Sequence, residues 1–283
     1  MNLKLLYFLL FPAVVFCQEF SPIGSFGNFN LTTSFSINNS GRIFIADDGS
    51  DEVYSFDSLG NGLKLIGGYG WDESSFDDPA DVFSSSLNVY VADKNNHRIE
   101  FFDKDLNYIG QINTRESEDR NMQFGYPLSC AVSNQGDLYI LDSENKRIVK
   151  FDMFGNFVQN FGGYESGGFV LENPTKIAVY DNNIYVLDEN KIYIFDQYGN
   201  NFNLVDILPA QINNITISSG LLILNNANDI FISSLSSVSE NSILKFQKLN
   251  IPDFNKEDIV SALFHKEKLY VLTTQKVYIL AQI

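Results

Sequence analysis

Four aspartates, Asp47, Asp93, Asp142 and Asp188, each end an apolar run of the same kind, and they are the residues of this 283-residue chain whose spacing first invites chemistry. Acids in register could gather a cation. Acids that stand singly at a strand-to-turn junction can instead accept backbone N–H groups of their own turn. One acid per repeat fits the structural role, because a metal site needs several acids in one repeat or on one rim. Arg98 and Arg147 each stand five residues after the repeated acid, across the same turn, where pairing is possible. The densest acidic run, Asp47-Asp48-Gly49-Ser50-Asp51-Glu52, lacks the spacing of a calcium loop, so no cofactor is expected beyond weak calcium binding.

Nucleophilic and zinc chemistry find little support. The two histidines, His97 and His265, fall in turns expected at opposite ends of the fold, which leaves no two- or three-histidine zinc set. No G-x-S-x-G elbow is present. Gly162-Gly163 and Gly167-Gly168 lack a following Lys and read as a flexible connection, not a phosphate loop. Cys130 sits in an apolar strand and is expected to be a buried, inert thiol.

The elements that carry these residues repeat. Asn88–Asp103 (NVYVADKNNHRIEFFD) reads as a hairpin: an apolar run, a polar turn and a second apolar run ending in Asp103. It recurs at Ile43–Asp57, Leu138–Asp152 and Ile184–Asp196, and decays at Leu221–Ser234 and Leu269–Leu280, where Asn225 and Thr273 replace the first acid. The intervals of 46, 49, 46, 37 and 48 residues, with four short strands in each full copy, predict an all-β, six-bladed propeller. Blade two is expected at Ala80–Ser84, Val89–Asp93, Arg98–Asp103 and Tyr108–Ile112. Blade three is expected at Ser129–Ser133, Leu138–Asp142, Arg147–Asp152 and Phe157–Phe161, and blade four at Lys176–Tyr180, Ile184–Asp188, Ile192–Asp196 and Asn203–Ile207. The last copy ends after a third strand, which would leave an open edge. Phe20–Gly27 resembles the outer-strand stretches and is assigned to that edge, closing the ring.

In such a blade the Asp-tipped turns share a face with the connections between blades. Tyr69-Gly70-Trp71, Thr114–Gln123 and Tyr164-Glu165-Ser166 therefore project together. Trp71, Tyr69, Arg115, Tyr164 and His97 are the candidate binding residues, because aromatic and charged loops on a rigid ring make a docking surface. Phe76, Phe124 and Phe169 are expected to be buried wedges between blades.

Residues 1–17 have the shape of a secretory signal peptide, with Lys4 followed by the apolar run Leu5–Phe16; residues 18–283 form the propeller. A secreted, periplasmic or cell-surface location follows, and Phe16 disfavours lipid anchoring at Cys17. No later run reaches the length of a spanning helix. The net charge of −16 opposes nucleic-acid binding and suits a solvated, monomeric exported protein. The sequons at Asn30, Asn38 and Asn214 are what an Asn-rich chain produces by chance.

Asn96-His97-Arg98-Ile99 resembles the motif that names the NHL repeat, and Asn145-Lys146-Arg147-Ile148 is a near variant. Phe76 to Pro79, Phe124 to Pro127 and Phe169 to Pro174 resemble the Phe…Pro lead-in of that repeat. The resemblance is strong in blades two to four, partial in blade one and weak in blades five and six. It implies a six-bladed propeller, a fold shared by binding proteins, sensors and lyases. The expectation for function is a non-enzymatic propeller that binds a protein, peptide or glycan through the face with the interblade loops. The alternative is a metal-dependent lyase or lactone hydrolase at the central channel. That reading departs from the peptide-amidating propeller lyases, which use histidines around a central zinc. RNA binding, as in some intracellular NHL proteins, is disfavoured by the leader and the charge.

Overall fold

The computed structural model describes residues 19–164, 169–206, 210–235, 244–254 and 257–283. The leader at 1–17, Cys17, Glu165-Ser166, Gly167-Gly168 and Ile207 lie outside the described residues. Alternating and continuous apolar runs rich in Val, Ile, Tyr and Phe form strands, and Gly or Asn punctuates the turns between them.

The strands make six separate four-stranded antiparallel sheets. Blade one comprises Thr32–Ile37, Ile43–Asp47, Glu52–Phe56 and Gly62–Gly67. Blade two comprises Pro79–Ser84, Asn88–Asp93, Arg98–Asp103 and Tyr108–Ile112. Blade three comprises Pro127–Val132, Leu138–Asp142, Arg147–Phe151 and Phe157–Phe161. Blade four comprises Pro174–Tyr180, Asn183–Asp188, Lys191–Asp196 and Asn201–Val205. Blade five comprises Asn214–Ser218, Leu221–Asn225, Ile230–Ser234 and the short Gln247–Lys248. Blade six comprises Ile259–His265, Lys268–Thr273 and Val277–Gln282.

The fourth strand of blade six is Phe20–Phe26, running antiparallel to Val277–Gln282 with Phe20 opposite Gln282 and Phe26 opposite Val277. The register slips between Pro22 and Gly24, where Pro, lacking an N–H, sits on the outer edge of the sheet. Phe20 is buried and its ring lies 6.0 Å from that of Phe264, so the pairing is sealed by apolar contact as well as by the ladder. Observed strand ends lie within a few residues of the expected ones. The inner strands of blades three and four and the outer strand of blade four each start two residues earlier than expected, at Pro127, Pro174 and Asn201.

The core is distributed between neighbouring blades. Ile43, Ile45 and Phe35 of blade one pack with Leu269, Val271 and Ile279 of blade six, while Phe44, Val53 and Ala46 pack with Val82, Val91 and Phe102 of blade two. Phe76 and Phe124 are buried between blades, as the lead-in reading requires. Phe169 is not: it is 45% exposed, and Leu171, two residues on, is buried in its place and donates its N–H to Gly162 C=O at 2.8 Å. Blade four thus fills with a branched aliphatic side chain the site that its neighbours fill with a ring.

Candidate functional site

The repeated aspartates are buried, and the backbone N–H groups they accept come mostly from the connection entering the blade, while side chains of their own hairpin, such as Asn96 and Asn145, supply others. Asp47 accepts the N–H groups of Asn30 at 2.8 Å and Leu31 at 2.7 Å, with Gly49 N–H from its own turn at 3.1 Å. Asp188 accepts Glu172 N–H at 2.8 Å and Asn173 N–H at 2.6 Å. Asp93 accepts Asp77 N–H at 2.9 Å, and Asp142 accepts Gly125 N–H at 3.1 Å. Each acid thus stitches the turn between the second and third strands to the connection arriving from the preceding blade. Burial raises the Asp93 carboxyl above its ordinary range, against the lowering pull of Asp77, Asn96 and Arg98.

The arginines extend the same stitch. Arg98 is buried and its Nε donates to Asp93 Oδ2 at 2.7 Å. Its Nη1 donates to Trp71 C=O at 2.9 Å and to Gln111 Oε1 at 3.0 Å, and its Nη2 to Asp72 C=O at 3.1 Å and Ser75 C=O at 2.7 Å. The planar five-donor fork of Arg makes this possible; a lysine could not fill all these acceptors. Nη1 also lies 3.2 Å from Glu100 Oε1 as an ion pair without hydrogen-bond alignment. Glu100 is fully buried, and desolvation pushes its carboxyl up to about 7. Arg147 repeats the arrangement in blade three, donating to Asp142 Oδ2 at 3.0 Å, Arg120 C=O at 3.0 Å and Gln123 C=O at 2.7 Å.

What these clamps hold outward is aromatic. Tyr69 and Trp71 are 66% and 71% exposed, with ring centroids 5.7 Å apart in an edge-to-face pair. His97 adopts φ of +54° at the tip of its turn, a left-handed conformation shared by Lys146 at the equivalent place in blade three. Its ring meets Tyr126 edge-on at 4.2 Å, and its Nδ1 accepts Tyr126 N–H at 3.0 Å, which requires a neutral imidazole. Partial burial, aided by the Arg115 charge, lowers the His97 pKa. Arg115 pairs with Glu144 at 2.6 Å and lies 5.9 Å from the Tyr126 ring centre. Tyr164 is 90% exposed.

His97, Arg115, Tyr126 and Glu144 therefore form one cluster between blades two and three. Tyr69 and Trp71 form a second group in the preceding connection, and Tyr164 stands in the following one. Tyr126 and Glu144 were missed by the sequence reading. The signal for Tyr126 was present: it interrupts the Phe124–Pro127 lead-in with a large residue at positive φ, here +47°.

The opposite face is capped by a second set of acids. Asp57, Asp103, Asp152 and Asp196 each accept two N–H groups of the turn between third and outer strands and the side-chain amide of the Asn four residues on. Those bonds lower the Asp57, Asp103 and Asp152 carboxyls, led by the Asn61, Asn107 and Asn156 contacts respectively. Cys130 is buried, and desolvation raises its thiol well above the ordinary value. Of the sequon residues, Asn38 and Asn214 are buried and Asn30 is exposed.

Around the axis, the inner strands place one polar residue per blade at nearly matched positions: Ser34, Asp81, Ser129, Lys176, Asn214 and Ser261. Lys176 Nζ pairs with Asp81 Oδ1 at 2.5 Å. Among the described residues no three His, Cys, Asp or Glu side chains converge as a metal-binding set. A histidine-held axial zinc does not fit these residues. His97 stands in a turn at one end of the ring and His265 ends the inner strand of blade six at the other, and the axial wall carries a lysine ammonium that a divalent cation would have to displace.

Comparison with known proteins agrees with this architecture. The sequence profile of the NHL repeat matches residues 124–151, which span Phe124 to the end of the third strand of blade three. The Drosophila melanogaster protein "brain tumor" is 33% identical over 141 residues, 48% of this chain and 13% of that protein. The probable peptidyl-alpha-hydroxyglycine alpha-amidating lyase pgal-1 of Caenorhabditis elegans is 25% identical over 205 residues, 69% of this chain and 54% of that protein. The chain thus spans about an eighth and about half of the lengths of these two relatives. A virginiamycin B lyase structure from Staphylococcus aureus superposes with a TM-score of 0.63 at 14% identity, covering 94% of this chain and all of that one, a likeness of fold. The fold is a six-bladed β-propeller, and its third blade carries an NHL repeat. Among the described residues no helix is long and apolar enough to cross a membrane.

Proposed function

We propose that this NHL-repeat propeller is a non-enzymatic binding protein that engages a protein, peptide or glycan partner through the face bearing the interblade connections. One observation carries the reading: Tyr69 and Trp71 are held out to solvent while the loop beneath them is tied to a buried Asp93–Arg98 pair. Large aromatic side chains on a pinned backbone bind with little conformational entropy to lose, which is the economy that interface hot spots use. His97, Arg115 and Tyr126 extend the surface toward blade three, and Tyr164 toward blade four. The apolar leader supports an exported setting for this face. Capture from the native source tests the reading. Alanine at Trp71, Tyr164 and Arg115 is expected to weaken partner retention while the melting temperature stays unchanged; undiminished retention by that variant overturns it.

The similarity to the alpha-amidating lyase supports a second reading, a lyase or lactone hydrolase at the channel. Metal analysis of the purified protein separates the two, since a stoichiometric, tightly held divalent ion favours the enzyme.

A further inference from the structure

The channel opens on the face away from the aromatic loops into a cavity of about 730 Å³ bounded by all six inner strands. That is the size of a small-molecule site. Its walls reach from the turns between inner and second strands down to Asp81 and Lys176, and these two are the sole charged residues among those lining it.

The floor is built. Asp81 is buried, and both its oxygens are filled: Oδ1 by Ser34 Oγ at 2.6 Å and Lys176 Nζ at 2.5 Å, Oδ2 by Ser129 Oγ at 2.6 Å and Cys130 N–H at 3.1 Å. The acid cancels the lysine charge and has no acceptor capacity left for a ligand. Lys176 is different. An ammonium carries three donors, and Asp81 and Ser34 (3.3 Å) take two of them. The third is available to an acceptor that enters the cavity.

The walls above this floor combine two chemistries. Ser84, Ser133 and Asn134 bring hydroxyl and amide groups, and Tyr90, Tyr180 and Phe264 bring partly exposed rings. Closely spaced hydroxyls recognise hydroxyls, and aromatic faces accept the C–H face of a pyranose ring. A neutral floor on a protein of net charge −16 gives no advantage to an anion.

We propose that this axial cavity is a binding site for a neutral sugar of monosaccharide size, whose hydroxyl accepts from the spare donor of Lys176 and whose ring rests against the aromatic wall. The site is separate from the partner-binding face and does not depend on it.

Saturation-transfer NMR with glucose, galactose, mannose and N-acetylglucosamine at millimolar concentration tests the proposal. At least one of the four is expected to give transfer from the wild-type protein. Asn134→Trp, an exposed turn position at the mouth, plugs the cavity without disturbing a buried contact and should abolish that transfer. The paired change Asp81→Asn with Lys176→Met removes the charge pair together, so that no buried ion is stranded, and should weaken the sugar by roughly tenfold or more, the loss of one charge-assisted hydrogen bond. If the paired variant does not fold, Asn134→Trp decides alone. Trp71→Ala should leave the transfer intact. Absence of transfer from all four sugars, transfer that survives Asn134→Trp, or transfer from glucuronate alone overturns the proposal.

Discussion

Replacing Arg98 by Met removes a side chain that makes five hydrogen bonds and leaves its shape largely in place. Five hydrogen bonds disappear, to Asp93, Trp71, Gln111, Asp72 and Ser75. Two fully buried carboxylates, Asp93 and Glu100, lose their counter-charge. Stripping one partner from a buried ion pair costs about 3–5 kcal/mol. The loss here is bounded because Asp93 keeps Asp77 N–H and Asn96 Nδ2, and because both acids can take up a proton. We expect a loss of about 4 kcal/mol at pH 8. It should shrink as the pH falls, since the stranded acids become neutral sooner in the variant than in the parent.

Urea unfolding followed by far-ultraviolet circular dichroism gives the global loss. Trp71 is the only tryptophan and gives the local one, because its backbone C=O is an Arg98 acceptor. Acrylamide should quench Trp71 more readily in the variant. The same change at Arg147, which makes three bonds and is more exposed, should cost about half as much. A loss below about 1 kcal/mol, the range of an exposed pair, together with unchanged quenching, would refute the clamp.

Three further outcomes follow from the same geometry. Glu100 has its folded-state pKa raised from 4.5 to about 7, so the native state holds a proton that the unfolded chain has lost between those values, and its contribution falls as pH rises through that window. Glu100→Gln should therefore gain on the parent by about 3 kcal/mol between pH 5 and pH 8 in urea titrations, and a pH-independent difference would contradict the burial argument. Deleting residues 19–26 bares the Val277–Gln282 edge and removes Phe20 from its cluster; size-exclusion chromatography should show species larger than the parent's, and an unchanged elution of stably folded protein would sink the closure. Millimolar calcium should leave the melting temperature unchanged, because Asp47 already accepts three backbone N–H groups and Asp51 accepts Asp78 N–H; a clear rise would show that the acidic turn rearranges around the ion.

The fold was legible because its signals are local and repeated: alternating runs, Asx turns and a period in the forties survive in at least four copies. Ring closure could be read too, since an unpaired edge needs a partner and Phe20–Gly27 had the composition to supply one. The direction of the aspartate bonds could not be read, because Asn30, Asp77, Gly125 and Glu172 lie 16 or 17 residues upstream and reach the acid only once the blades stack. Phe169 misled for a related reason. Its spacing from Pro174 differs from that of Phe76 and Phe124, and packing selected Leu171. The axial row was overlooked although Ser34, Asp81, Ser129 and Lys176 recur at about 47-residue spacing, since a polar residue inside an apolar strand carries no sign of which way it faces.

Hydrogen exchange on the protein with and without its captured partner bears most directly on the proposed face. Slowed exchange at 68–76 and 113–126, with 84–88 and 133–137 unchanged, is the predicted footprint. Protection confined to the second pair of segments would place the partner on the wrong end of the ring and contradict the account.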